Sequence, residues 1–278
     1  MPTRHEADHA PDRNAHVIRA QLRPRATLPG VLVLLPPSET KHVGGDGAPL
    51  RLDALSHPAL DAVRKALVEE LVELAADEEA SRRALGLSAA QDAEIARNAA
   101  LWTSPTAPAL HRYTGVLYDA LDVRSLRGAA AMRARARLAV SSALFGLLRA
   151  DDPVPAYRLS AGSALPAGGT LAARWKPALE PELTALAAAE LVVDLRSGSY
   201  AALGRVPGAV AVNVLAERPD GSRSVVSHFN KAHKGRLARV LAGTRAEPTD
   251  AAGVAAVARR AGMRVERQGS ALAVIVPA

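Results

Sequence analysis

Only five of the 35 basic residues in this arginine-rich chain are lysines: Lys41, Lys65, Lys176, Lys231 and Lys234. A lysine kept in such a background points to a place that needs a compact ammonium rather than a planar guanidinium. Lys41 ends the stretch Pro36-Pro37-Ser38-Glu39-Thr40-Lys41, and Lys231 and Lys234 open an amphipathic helix read from Phe229 to Leu241. Lys65 reads as a surface helix residue. The tyrosines fall in similar company: Tyr113 precedes Thr114, Tyr157 precedes Arg158, and Tyr200 follows Ser199. Arg149 and Arg158 flank the turn Asp151-Asp152-Pro153. Ammonium point charges, guanidinium forks, hydroxyls and phenols are the groups that a pocket for an anion requires. Ser38, Lys41, Tyr113, Thr114, Arg149, Tyr157, Arg158, Ser199, Tyr200, Lys231 and Lys234 are therefore the candidate ligand- or phosphate-binding residues, and all of these but Ser38 and Thr114 are expected to line a single cleft. In that reading Lys41 and Lys231 supply point charges and Arg149 and Arg158 grip the anion bidentately. Tyr157 and Tyr200 pack against a base or donate protons. The competing reading makes Arg149 and Arg158 structural partners of Asp151, Asp152 or Asp194.

Several chemistries are excluded or unsupported. There is no cysteine, hence no disulfide, thiol nucleophile or thiolate-held metal. Neither GxSxG nor HExxH occurs, and the loop after the first apolar run is not GxxxxGK[ST]. His228 and His233 are five apart, a spacing that does not put two ligands on one helical face. No metal site and no cofactor is expected. No apolar run reaches the ~20 residues that span a bilayer, and the N-terminus lacks the apolar core of a signal peptide; a cytoplasmic protein without membrane contact is expected. The net charge of +7 and a pI near 10.2 suit acidic partners such as nucleotides or nucleic acid.

The elements that must position these residues follow from periodicity. Residues 1–29 are polar, rich in proline, histidine and arginine, and aperiodic, which predicts a disordered basic tail. Val31–Leu35 is a continuous apolar run, the pattern of a buried strand. Helices are predicted from Pro58 to Asp77 and from Ser88, with Gln91 completing a capping box, to Asn98. Leu138–Val140 reads as a core strand, followed by a short helix through Ala143–Leu148 and then the aspartate turn. Further helices are expected at 171–189 and 250–261 and a buried strand at 191–195. Val210–Leu215 and Ser224–Ser227 read as antiparallel partners, and residues 263–276 as a terminal hairpin. Helices and strands mix without clean βαβ alternation, which predicts an α+β fold: one domain over residues 30–278 around a mixed sheet with flanking helices.

In order along residues 31–242 the chain carries Pro36-Pro37-Ser38-Glu39-Thr40-Lys41, Tyr113-Thr114-Gly115, Leu144-Phe145-Gly146-Leu147-Leu148-Arg149 and Tyr157-Arg158. Trp175, Ser199-Tyr200 and Phe229-x-Lys231-x-x-Lys234-Gly235 follow. This ordered set resembles the YaaA family of peroxide-stress proteins. The chain departs from the family pattern at Ser142-Ala143, where many members have Ser-Gly, at Ala150 after Arg149, where proline is usual, and at Ser227-His228-Phe229 before the lysines. The resemblance implies a cytosolic protein of the peroxide response, linked to restraint of free iron, with an α/β fold and proposed DNA binding. It implies no particular reaction.

Two functions therefore stand side by side. One is a stress-protective protein that binds DNA without sequence preference through Lys231, Lys234, Arg236, Arg239 and the basic run Arg124–Arg137. The other is an enzyme or binding protein for a small anionic ligand, such as a nucleotide or nucleoside, in the cleft described above.

Overall fold

Val31–Leu35 (β1) lies at the centre of the sheet with all five side chains buried, as expected of an apolar run covered on both faces. A computed structural model of the chain describes residues 30–225 and 230–278. After β1 come β2 (Gly47–Pro49), the helices α1 (Asp61–Leu74), α2 (Glu78–Leu85) and α3 (Asp92–Ala99), and β3 (Pro105–Pro108). Short helices α4 (Ala109–Arg112) and α5 (Val116–Leu121) lead to α6 (Gly128–Arg137), β4 (Leu138–Ser142), β5 (Gly146–Arg149) and β6 (Pro153–Val154). Then follow α7 (Leu171–Ala189), β7 (Leu191–Asp194), α8 (Gly198–Ala201), β8 (Val210–Glu217) and β9 (Arg223–Val225). The chain closes with α9 (Asn230–Gly243), α10 (Ala251–Arg260), β10 (Val265–Gln268) and β11 (Ala271–Pro277).

The main sheet runs β10-β11-β8-β7-β1-β4-β5, with β9 paired to β8. Strands β1, β4, β7, β8 and β11 are mutually parallel, whereas β5, β9 and β10 pair antiparallel with their neighbours. The fold is α+β around a mixed sheet, as the element order predicts. Ser88 donates its N–H to Gln91 Oε1 at 3.1 Å, the predicted capping contact. Helix α7 turns Leu171, Trp175, Leu179 and Leu183 inward and keeps Pro177 and Pro181 on its exposed face. Expectations for residues 1–29, for Phe229 and for the strand as far as Ser227 concern positions outside the described residues.

One local prediction needs correction. Ala143–Leu148 forms no helix: β4 turns back through Ala143–Phe145 into β5, with Ser142 paired to Gly146. An apolar run this short cannot be assigned by periodicity, and the turn is held by contacts distant in sequence. Ser142 Oγ accepts the N–H groups of Leu144 and Phe145 at 3.2 and 2.9 Å, and Trp175 Nε1 donates to Ala143 O at 2.8 Å. Gly146 has φ +71°, and a methyl group there would lie 2.6 Å from the Trp175 ring. A small antiparallel sheet, β2-β3-β6, has no counterpart among the predicted elements. Its strands carry Pro49, Pro105, Pro108 and Pro153 and so read as loop.

Arginine does much of the interior hydrogen bonding. Arg64, Arg112, Arg137 and Arg196 are all buried. Arg64 donates to Phe145 O and Leu147 O at 3.0 and 2.9 Å and pairs with Asp61 at 2.8 Å. Arg112 donates to Val154 O at 3.0 Å, Gly44 O at 2.6 Å and His42 O, tying three chain segments together. Five fixed donors let one guanidinium satisfy several buried carbonyls at once.

Candidate functional site

Strands β1 and β7 are adjacent and parallel, so the loops that follow them leave the same edge of the sheet, where α/β proteins gather ligand groups. The β1 loop is pinned by a short ladder to the segment before α5. Lys41 bridges Tyr113, His42 N–H donates to Arg112 O at 2.8 Å, and Thr114 N–H to Thr40 O at 3.2 Å. The β7 loop is shaped by its own charges. Asp194 receives Arg196 Nε and Nη2 at 3.0 and 2.8 Å, and Arg196 Nη1 reaches Tyr200 O at 3.3 Å. A fourth wall is the first turn of α9, which packs on α5.

Between these walls lies a cleft of about 550 Å³. Ser38, Thr40 and Thr114 form a row of hydroxyls on one side, with Ser38 Oγ and Thr114 Oγ1 each 3.2 Å from Thr40 Oγ1. Ser197 and Ser199, whose oxygens are 3.2 Å apart, and Tyr200 form the other side. Lys231 is exposed at the rim. Lys234 is buried to 8% exposure, and its Nζ donates to Leu195 O at 3.0 Å and Arg196 O at 3.3 Å. An ammonium has three N–H donors, so one remains for a ligand. Burial lowers the Lys234 pKa, opposed by the Asp194 carboxylate. Glu39 also lines the cleft, but Arg158 Nη2 holds its carboxylate at 2.9 Å, so an incoming anion meets a compensated charge.

Beneath the hydroxyl row is a buried layer. Tyr157 OH lies 2.8 Å from both Tyr113 OH and Ser142 Oγ. Lys41 Nζ sits 4.2 Å from the centroid of the Tyr157 ring and 5.5 Å from that of Tyr113, a cation–π contact with both. The same ammonium donates to Ser38 O at 3.0 Å and Glu39 O at 3.3 Å, which sets the course of the β1 loop. Burial lowers the Lys41 pKa to about 7 against the pull of Glu39. Burial raises Tyr113 to about 12 and raises Tyr157 and Tyr200 as well. The three phenols are neutral near pH 7 and can act as O–H donors.

Of the residues singled out from sequence, Ser38, Thr114, Ser199, Tyr200, Lys231 and Lys234 meet on the cleft. Lys41, Tyr113, Tyr157 and Arg158 stand behind them and fix the β1 loop. Arg158 takes Glu39 as its partner rather than Asp151, Asp152 or Asp194. Arg149 is elsewhere, contrary to expectation. Its antiparallel strand runs back so that Arg149 pairs with Ala139, at the opposite end of the parallel sheet. There its side chain donates to Ala136 O and lies 3.9 Å from Glu190. Asp152 accepts the Arg149 N–H at 2.9 Å and Ser56 Oγ at 2.7 Å, consistent with a turn residue. Asp194 is engaged by Arg196. Thr40, Ser197 and Asn230 line the cleft without having been singled out. Thr40 had a signal in Ser38-x-Thr40, since residues two apart on extended backbone face the same way, whereas Ser197 reaches the cleft as the residue that precedes α8.

Among the described residues no group of three or more histidine, aspartate or glutamate side chains is arranged to hold a metal ion, and no helix is long and apolar enough to cross a membrane. The sequence matches the family described as peroxide stress protein YaaA over residues 31–266. It is 49% identical to a UPF0246 protein of Corynebacterium efficiens over 240 residues, 85% of this chain and 95% of that protein. A UPF0246 protein of Corynebacterium glutamicum is 48% identical over the same shares. One from Streptomyces coelicolor is 46% identical over 244 residues, 87% of this chain and 94% of that protein. With the ordered motifs now seen to build one sheet edge and its supporting layer, the chain belongs to the YaaA family of peroxide stress proteins.

Proposed function

We propose that the protein acts in the peroxide response by binding a small phosphorylated ligand, a nucleotide or nucleoside phosphate, in the cleft between the β1 and β7 loops. One observation carries this reading: hydroxyls and ammonium groups from four segments far apart in sequence converge on one cavity. Hydroxyls and a partly desolvated ammonium suit phosphate oxygens, and the neutral Tyr200 offers a donor and a ring face to the base. The limit on iron-driven damage that the family resemblance implies then follows from this ligand, not from storage of iron at a histidine–carboxylate site.

Isothermal titration with nucleoside mono-, di- and triphosphates tests the reading. Lys231 is exposed, so Lys231→Ala is expected to weaken binding about tenfold, the loss of one charge-assisted contact, with an unchanged melting temperature. Wild-type protein that takes up no nucleotide in low salt overturns it.

A second reading, binding of duplex DNA without sequence preference, is favoured by the exposed cations Arg124, Arg127, Arg135, Lys231 and Arg236 on or beside α6 and α9, two helices in contact. Other arginines of that region are engaged internally. Arg133 donates to Gly243 O at 2.7 Å, Arg137 to Leu241 O at 2.9 Å, and Arg239 to Asp122 O at 2.6 Å. For this surface, the five cations named among the described residues predict a log K against log salt slope no steeper than about −4.5. A slope near twice that value shows that the surface in use is a different one.

A further inference from the structure

We propose that Glu39 reads the sugar of the ligand: one oxygen of its carboxylate accepts the hydroxyl groups of a ribose diol, which makes the cleft selective for ribonucleotides over deoxyribonucleotides. The inference rests on the nucleotide reading of that cleft and names the class of nucleotide it takes.

Glu39 is the one carboxylate among the described residues that line the cleft. In a cavity for phosphate a negative charge works against binding, since it repels the ligand at the short distances a small cleft allows. The Glu39 side chain is 49% exposed, so packing does not force an acid to this position. The surrounding chain nevertheless holds it there. Arg158 Nη2 lies 2.9 Å from Glu39 Oε2, and the arginine side chain is largely buried. The Arg158 backbone is itself clamped by Asn98 of α3, which accepts its N–H at 2.8 Å and donates to its carbonyl at 2.9 Å. Lys41 Nζ fixes the main chain, donating to Glu39 O at 3.3 Å. An acceptor held from both ends is preorganised for a donor. The arginine takes Oε2, and among the described residues Oε1 receives no hydrogen bond, although a carboxylate oxygen has two lone pairs to offer.

The position of Glu39 identifies that donor. On one side it is flanked by the hydroxyls of Ser38 and Thr40, which continue to Thr114. On the other side stands Tyr200, whose phenol is raised first by burial and next by the charge of Glu39. A phosphate on the hydroxyl row and a base against the Tyr200 ring leave the sugar between them, opposite the carboxylate. Ribose presents two adjacent O–H donors there and 2′-deoxyribose only one. Acidic side chains read ribose hydroxyls by the same chemistry in dinucleotide-binding folds. Arg158 is then a positioning residue, which acts on the ligand through Glu39.

A site that buries its acceptor completely rejects an analogue lacking the hydroxyl by a factor of about ten thousand or more. Glu39 is half exposed, and water replaces the missing group, so about tenfold is expected here.

Isothermal titration in a metal chelator with adenosine diphosphate and its 2′-deoxy and 2′,3′-dideoxy forms is the test. The chelator keeps a divalent cation from bridging carboxylate and phosphate. The wild-type chain is expected to bind the ribonucleotide about tenfold more tightly than the 2′-deoxy form, and the dideoxy form more weakly still. Glu39→Ala and Glu39→Gln are expected to move the extremes in opposite directions. Adenosine diphosphate binds less tightly, the dideoxy form binds equally or better because a negative charge has gone, and the preference disappears. Glutamine keeps the volume beside Arg158, so the comparison holds even where alanine loosens the β1 loop. A carboxylate that takes no part in binding gives the reverse, a gain for all three ligands on its removal, and that result overturns the inference. Equal binding of the three ligands by wild type overturns it as well, while leaving the nucleotide reading in place. Wild-type protein that binds none of them overturns both. Preference for guanosine diphosphate, undiminished in its 2′-deoxy form, puts the donors on the base edge and overturns the assignment to the sugar.

Discussion

Gly235→Ala is expected to lower the melting temperature by roughly 6–10 °C and to abolish binding in the cleft. Helix α9 crosses α5 so closely that a methyl group at Gly235 would lie 2.2 Å from Leu117 O and 2.9 Å from Ala120 Cβ. The obstacle is backbone, which cannot swing aside as a side chain does. Carbon contacts settle near 3.5 Å, so the two helices must part by about 1 Å. Overpacking of a fitted interface costs about 1–3 kcal/mol, and this contact belongs at the upper end. Helix α9 carries Lys231 and Lys234 while α5 carries Val116, Leu117 and Tyr118, so both displaced helices are cleft walls. Thermal melting and nucleotide titration of the same variant check the two halves. An unchanged melting temperature would falsify the close packing, and full affinity would show that the cleft tolerates the shift.

The second large effect is expected at Arg112. Substitution by methionine keeps much of the buried stem but removes donors to His42 O, Gly44 O, Pro105 O and Val154 O. Charge-assisted hydrogen bonds contribute about 1.5–3 kcal/mol each, and carbonyls left buried without partners add a cost. Non-additivity keeps the total below the sum, so a loss of more than about 3 kcal/mol is expected from denaturant unfolding. Because the lost partners include the segment just after Lys41, hydrogen exchange of the β1 loop should rise as well. Arg112→Lys retains the charge without the fork and should recover only part of the stability. Stability within about 0.5 kcal/mol of wild type, the range of a neutral surface change, would mean that these carbonyls find other partners.

Arg112 and Arg149 show how far side-chain type reaches and where it stops. From sequence one is an arginine beside Tyr113 and the other an arginine beside a turn. Arg149 has the look of an anion-binding residue and Arg112 gives no signal. In the fold Arg112 is a buried clamp, and Arg149 is carried away from the cleft because β5 reverses direction. That reversal depends on Trp175 closing over Gly146, a contact 29 residues distant in sequence. No local pattern contains it.

What the sequence determined by itself is the set of elements and the ordered motifs. The apolar runs Val31–Leu35 and Leu191–Asp194 form adjacent strands inside the main sheet, as short apolar runs between covering layers do. Helix α7 is legible from the spacing of Leu171, Trp175, Leu179 and Leu183. Ser38, Thr114, Ser199, Tyr200, Lys231 and Lys234 were recoverable as cleft residues because parallel strands deliver their loops to a shared edge. Only the tertiary structure decided which polar residues reach the cavity and which support it. Lys41 and Lys231 are alike in type, yet one ammonium is buried over the Tyr157 ring and the other stands in solvent. The difference is set by strand register and helix crossing, both of which are fixed by contacts between residues far apart in the chain.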